Sequence, residues 1–235
     1  MSNRCRLFKI AGIAAACGVI SLLVVFWLAT RQPAASIPEV AKAVDLDSTR
    51  AKAEQGDAEA QKQLGAFYAE GEVVKRSYAE AAKWYRSAAD QGHAGAQAAL
   101  GELYEAGQGV PADEAAAAQW YRRAAEQGHV AGQYSLAVLY VLGRGVPRDL
   151  AEAAKWYRRA AEQGNALAQY NLGMRLKEGE GVPKDLIEAY AWLSLAGAQG
   201  VDEAAKARDE LKRTLTREQI AESQRRATAF AKDKR

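Results

Sequence analysis

Beyond residue 17 the chain has no cysteine. Cys5 and Cys17 are its only two, among 235 residues, so no disulfide and no thiolate metal site can form in the rest of it. Aromatic residues are scarce as well, at 8%, although 49% of the chain is apolar. Alanine makes up much of the difference. That composition excludes a core built from large side chains and points to helices lying close together. No charge sign dominates: 32 basic and 29 acidic residues give a net charge of +3. They are interleaved along the same segments, which leaves no cationic footprint for nucleic acid. There are two histidines, His93 and His129. Stacked helices would hold them about 10 Å apart, too far to share a zinc ion, and no third ligand accompanies them. No Ser/His/Asp set, phosphate loop or HExxH occurs. Glu102 and Glu105 lie three apart and read as a solvated helix face. The chain is therefore expected to be non-catalytic, with no cofactor, no metal and no nucleic-acid partner.

One long apolar run exists, from Ile10 to Ala29, without a single charge. Its 20 residues would make about 30 Å of helix, the thickness of a bilayer core. "LATRQPAAS" at its end offers no clean cleavage pair. Cys17 sits mid-run, with "GVISLLVVFWLA" still to come, which disfavours lipidation there. Arg4, Arg6 and Lys9 crowd the N-terminal flank, so that flank is expected in the cytoplasm and the bulk outside it. The expected plan is a basic cytoplasmic N-terminus over 1–9, a transmembrane signal anchor over 10–30 and a linker over 31–45, where Pro33 and Pro38 interrupt any helical period. The alternative is a cleaved leader and a secreted product.

The rest of the chain repeats itself. Trp84, Trp120, Trp156 and Trp192 are spaced by 36 residues, as are Gly92, Gly128, Gly164 and Gly200. Gln61, Gln97, Gln133 and Gln169 keep the step, and so do Leu64, Leu100, Leu136 and Leu172. Each unit has two helical stretches, A ("AGQYSLAVLYVL") and B ("LAEAAKWYRRAAEQ"). On B, Ala153, Trp156 and Ala160 share an apolar face with Ala154, Tyr157 and Ala161. Ser77 with Glu80, Asp149 with Glu152 and Asp185 with Glu188 predict capping boxes at the start of B. Helix A stops at Gly71, Gly107, Gly143 and Gly179, and "GxGVP" follows the last three. Val73 and Lys75 replace its second Gly and its Pro in the first unit, whose turn is expected to be looser. Gly65, Gly101 and Gly173 inside helix A predict close backbone approaches, at a helix cost of about 1 kcal/mol each. Single helix pairs cannot bury both faces, so stacking is expected, with the tryptophans as wedges between pairs. The units fall at 58–93, 94–129, 130–165 and 166–200, with a half-repeat helix over 46–57 and capping helices over 201–235.

"AQYNLG" (168–173), "GRGVPRD" (143–149), "EAAKWYRRAAEQG" (152–164) and "AYAWLSLAGAQG" (189–200) resemble the Sel1-like repeat, a 36-residue relative of the tetratricopeptide repeat. The resemblance implies an all-α fold, a right-handed α/α superhelical solenoid of antiparallel helix pairs, here behind an N-terminal transmembrane helix. It implies a bacterial adaptor or scaffold that binds protein partners along the concave face lined by helix A. With the anchor, this places the repeats in the periplasm, tethered to the inner membrane, with envelope proteins as partners. One branch of the family, linked to penicillin-binding or β-lactamase activity, carries paired cysteines in each repeat. This chain has none there. A cell-wall-directed hydrolase or binder would need convergent carboxylates or a nucleophile in the groove.

Variation against the constant frame marks the candidate site. One row of helix A reads Lys62, Ala66, Ala69, Glu70 in the first unit and Ala98, Glu102, Glu105, Ala106 in the second. It reads Tyr134, Val138, Val141, Leu142 in the third and Tyr170, Met174, Lys177, Glu178 in the fourth. The third row is wholly apolar. Tyr134, Val138, Val141, Leu142, Tyr170 and Met174 are the candidate partner-binding patch. Ordinary burial against the flanking units is the competing reading.

Overall fold

The computed structural model describes residues 37–232, with side chains described over 46–231. The chain divides into two units, 1–45 and 46–235. All four repeats fall within the second. The expected span at 10–30 lies outside the described residues. No helix among the described residues is long and apolar enough to cross a membrane.

Among the described residues the secondary structure is all helical. The order is α1 (Ile37–Glu54), α2 (Ala58–Glu70), α3 (Tyr78–Asp90), α4 (Ala94–Ala106), α5 (Glu114–Glu126), α6 (Val130–Leu142), α7 (Leu150–Glu162), α8 (Ala166–Glu178), α9 (Leu186–Ala198), α10 (Asp202–Lys212) and α11 (Arg217–Lys232). Helices α2, α4, α6 and α8 are the A helices, and α3, α5, α7 and α9 are the B helices. Each A helix packs on the following B helix, and α3, α5 and α7 pack on the A helix of the next repeat, which makes a solenoid.

Helix α1 corrects the expected linker. It starts at Ile37 rather than near residue 46. Pro38 falls in its first turn, where no intrahelical N–H bond is needed and the fixed φ suits the helix. The half-repeat expected over 46–57 is thus the C-terminal part of an 18-residue helix.

The caps are regular, but the capping boxes are only half made. Ser77, Asp113, Asp149 and Asp185 accept from backbone N–H groups in the first turns of the B helices. The glutamates do not reach back. The caps' own N–H groups already donate to the carbonyls of Tyr68, Tyr104, Tyr140 and Leu176 on the preceding A helix. Glu80 and Glu152 instead pair with Lys83 and Lys155. The first repeat's turn shares two closing bonds with the others, from Gly71 N–H to Phe67 at 3.0 Å and from Ser77 N–H to Tyr68 at 2.9 Å; the later turns add one from Gln108, Arg144 or Glu180 N–H to the carbonyl of Leu103, Leu139 or Arg175.

Within a repeat, the small residue of helix A receives first a ring or a branched side chain, and at Gly173 a backbone atom, the Ala189 carbonyl oxygen at 3.3 Å, also comes close. A Cβ at Gly65 would stand 2.6 Å from the Tyr85 ring, and one at Gly101 2.8 Å from the Tyr121 ring. At Gly173 the neighbour is Leu193, with Cγ at 2.8 Å. The helix cost of these glycines is offset by seating a large side chain against the helix axis.

Between repeats, Trp84, Trp120 and Trp156 reach the preceding unit or half-unit. Trp120 joins a buried cluster with Ala81, Ala82 and Ala88 of α3. Trp156 is buried with Ala117 and Ala118 of α5. Trp84 is half-buried against Ala53, Ala60 and Leu64. Alanine on the facing helix leaves room for the indole.

A buried amide ladder runs through the same seam. Gln61, Gln97, Gln133 and Gln169 donate to the carbonyls of Ala53, Ala89, Ala125 and Ala161 at 3.0–3.2 Å. Their oxygens accept from Gln91, Gln127, Gln163 and Gln199 at 2.7–2.8 Å. Each buried amide is therefore satisfied on both sides.

The loops after α4, α6 and α8 touch the previous B helix. At Gly145, φ is +67° and a Cβ would stand 2.0 Å from the Glu114 carbonyl oxygen. Backbone meets backbone there, so neither side can yield.

The array ends with α10 and α11, both packed on α9. Phe230 stacks on Trp192 with ring centroids 4.1 Å apart and planes 5° from parallel. Trp192 is fully buried. Thr216 and Gln219 form a reciprocal capping box at the start of α11, with bonds of 2.9 and 3.2 Å.

Two outcomes test this packing. Gly145→Ala combines a left-handed residue with a backbone clash and is expected to cost about 3 kcal/mol or more, read from the urea midpoint. Gln133→Leu removes the bonds to the Ala125 carbonyl and from the Gln163 amide, which keep the Gly128 N–H and the Gly128 carbonyl as partners, and is expected to cost about 1–3 kcal/mol for the two lost bonds. An unchanged midpoint in either variant contradicts the packing described.

Candidate functional site

The repeat geometry sorts helix A into two faces. Residues at the Gln and Leu positions turn toward the B helices and are buried. The opposite face carries the variable row. At 100° per residue, Ala131, Tyr134, Val138, Val141 and Leu142 of α6 share one side.

The structure places the six candidate residues on that outer face of α6 and α8. Leu142 is 54% exposed. Tyr134, Val138, Val141, Tyr170 and Met174 are half-buried, their inner atoms packed against the core. Tyr134 also meets Tyr157 at 5.8 Å between centroids. Burial pushes its phenol pKa up, while a hydrogen bond with Asn171 opposes the shift.

Sequence reasoning missed Leu167, 48% exposed near the start of α8. Its signal was available one turn earlier in the row, where Glu59, Gly95, Ala131 and Leu167 are period-mates. With Leu167 included, an apolar track spans the length of these helices. Eleven residues of helix separate its two ends, about 16 Å along the axis.

The neighbouring surface is acidic. Glu70, Glu102 and Glu105 occupy the same row on α2 and α4. Glu105 accepts from the Tyr121 hydroxyl at 2.9 Å and meets Arg144 at 3.2 Å. Arg144 also bridges to Glu114 at 2.7 Å. Loss of solvent raises the Glu102 carboxyl pKa, and the Glu105 charge raises it further. Tyr85 is pushed up to about 12, mainly by burial and then by Glu70 and Glu102.

The two histidines are caps. His93 Nδ1 accepts from Ala96 N–H and His129 Nδ1 from Gly132 N–H, both at 3.2 Å. His93 Nε2 contacts Glu59 at 2.8 Å. Their rings come nearer than the 10 Å repeat spacing suggests. A Cβ at Gly95 would stand 3.2 Å from His93 Cε1 and 3.8 Å from His129 Nε2. The side chains lean along the row, which Cα spacing does not convey. Among the described residues, no group of three or more His, Cys, Asp or Glu could hold a metal ion.

A model of the Sel1 repeat matches residues 58–93, 94–129, 130–165 and 166–201. The chain belongs to the Sel1 repeat family. No curated protein matches it. Solved structures do. One is c5321, a protective antigen of uropathogenic Escherichia coli strains displaying an SLR fold. It is 35% identical at a TM-score of 0.70, over 77% of this chain and 40% of that one. Another is a Sel1 repeat protein from Oxalobacter formigenes. It is 38% identical at a TM-score of 0.61, over 64% of this chain and 62% of that one. The chain thus spans less than two thirds of either relative. Sel1 repeats serve in general as protein–protein interaction scaffolds.

His129 is expected to make the stability of the stack depend on pH. Burial lowers its pKa below the usual 6.5, and the nearby His93 and Lys62 lower it further. The unfolded chain therefore takes up this proton first, and the stability from neutral His129 is lost as pH falls below about 6.5. The melting temperature is expected to drop between pH 7 and pH 5. His129→Asn, which keeps a capping oxygen as Asn165 does, is expected to flatten that slope. Equal slopes in both proteins would remove His129 as the cause.

Proposed function

We propose that the chain is a non-catalytic scaffold whose Sel1 repeats bind a protein partner through the outer face of the A helices, the concave face of a right-handed superhelix. One observation carries this reading. Leu142 and Leu167 are the exposed large hydrophobic residues among those described, and both belong to the same track. Exposed apolar surface of this kind favours association. The rest of the row supplies contact area: Tyr134, Val138, Val141, Tyr170 and Met174.

Residues 10–30 anchor the chain in the inner membrane, with the N-terminus cytoplasmic, the repeats periplasmic and envelope proteins as partners. The uncharged run at 10–29 and its basic flank support this placement.

Photo-crosslinkers at Val138 and Leu142 in the full chain are expected to capture a protein partner from envelope preparations. Val138→Ser with Leu142→Ser is expected to reduce that capture at least tenfold while the helical circular dichroism is kept. Undiminished capture by a folded double variant would rule the patch out. Alkaline carbonate washing is expected to leave the chain in the membrane pellet with Met1 or Ser2 as its first residue. A mature N-terminus beyond residue 29 would indicate a cleaved, released product.

A further inference from the structure

The apolar track does not lie in neutral surroundings. Glu102 and Glu105 on α4 are the period-mates of Val138 and Val141 on α6, one repeat away, at the usual interhelix distance of about 10 Å. Glu70 extends the acidic surface toward the first repeat. Glu105 is matched by Arg144 and Tyr121. Among the described residues, Glu102 pairs with no cation, while the Glu105 charge repels it. Lys62 sits on the other half of this row, toward the start of α2. Glu59, at the Leu167 end of the row on α2, is matched by His93, so the acid left for a partner adjoins the Leu142 end of the track.

We infer that the occupant of the track is a cationic amphipathic protein segment, with apolar anchors on Val138, Leu142 and Met174 and a Lys or Arg held at Glu102, with Glu70 adding negative charge one repeat further on. The inference rests on the binding face proposed above and gives the partner its chemistry. Bringing a cation beside Glu102 offsets the repulsion from Glu105, which an apolar or acidic segment cannot do. The geometry also sets a spacing. About 10 Å between anchor and charge matches seven residues of a helix or three of an extended strand.

Synthetic helical peptides test this against the full chain. The first carries leucines at i and i+4 and lysines at i+7 and i+11. The second has glutamate in place of each lysine, and the third has serine in place of each leucine. Fluorescence anisotropy is expected to show the first peptide binding at least tenfold more tightly than either of the others. The preference over the glutamate peptide is expected to fall below threefold in the Glu70→Gln, Glu102→Gln chain, which leaves Glu105 and its partners intact. Equal binding of the lysine and glutamate peptides would overturn the inference and leave the apolar face standing. Equal binding of the serine peptide, or no binding of any, would overturn both. A dimer in light scattering that Leu142→Ser dissolves would place a second copy on the track and overturn the cationic occupant.

Discussion

The buried glutamine ladder fixes the register on which the stacking depends. Apolar packing alone lets neighbouring helices slide, because alanine faces look alike at every turn. An amide that must meet one carbonyl on the previous B helix and one amide at the end of its own B helix has a single acceptable position. Displacing it leaves the buried glutamine amide without either partner, and such a group is costly away from water. Tryptophan and alanine supply cohesion, and glutamine decides where it applies.

This division frees the outer face of helix A. The frame residues fill the inner side in every repeat. The outer row changes from charged, through acidic and apolar, to mixed without disturbing the stack. The two sides of one helix thus answer to different constraints. The inner side must fit the next repeat, and the outer side is open to solvent at Leu142 and Leu167.

The repeat, its helix pairs and the family were legible because each signal recurs in step. One Trp or Gly is ambiguous, but four at a common spacing are not. The meaning of the small residues in helix A was less legible. Their presence signals close approach, but only coordinates tell a tyrosine ring from a backbone. The capping boxes misled for a related reason: the cap N–H groups had another acceptor, on a helix the local motif does not include. Pro38 misled because a proline in a first turn reads like a proline in a linker. Part of the candidate row was found from variation. Leu167 was not, because the chosen row began one turn too late.

Helix α11 has a consequence for the size of the molecule. Phe230 covers the last indole in the series, and Arg226 meets the Asp185 cap of the same helix at 3.2 Å. A stack of like units has no intrinsic reason to stop, since its final surface resembles every internal one. The C-terminal lid makes that surface unlike the others, so the length of the array is written into the chain and does not depend on how many copies are nearby.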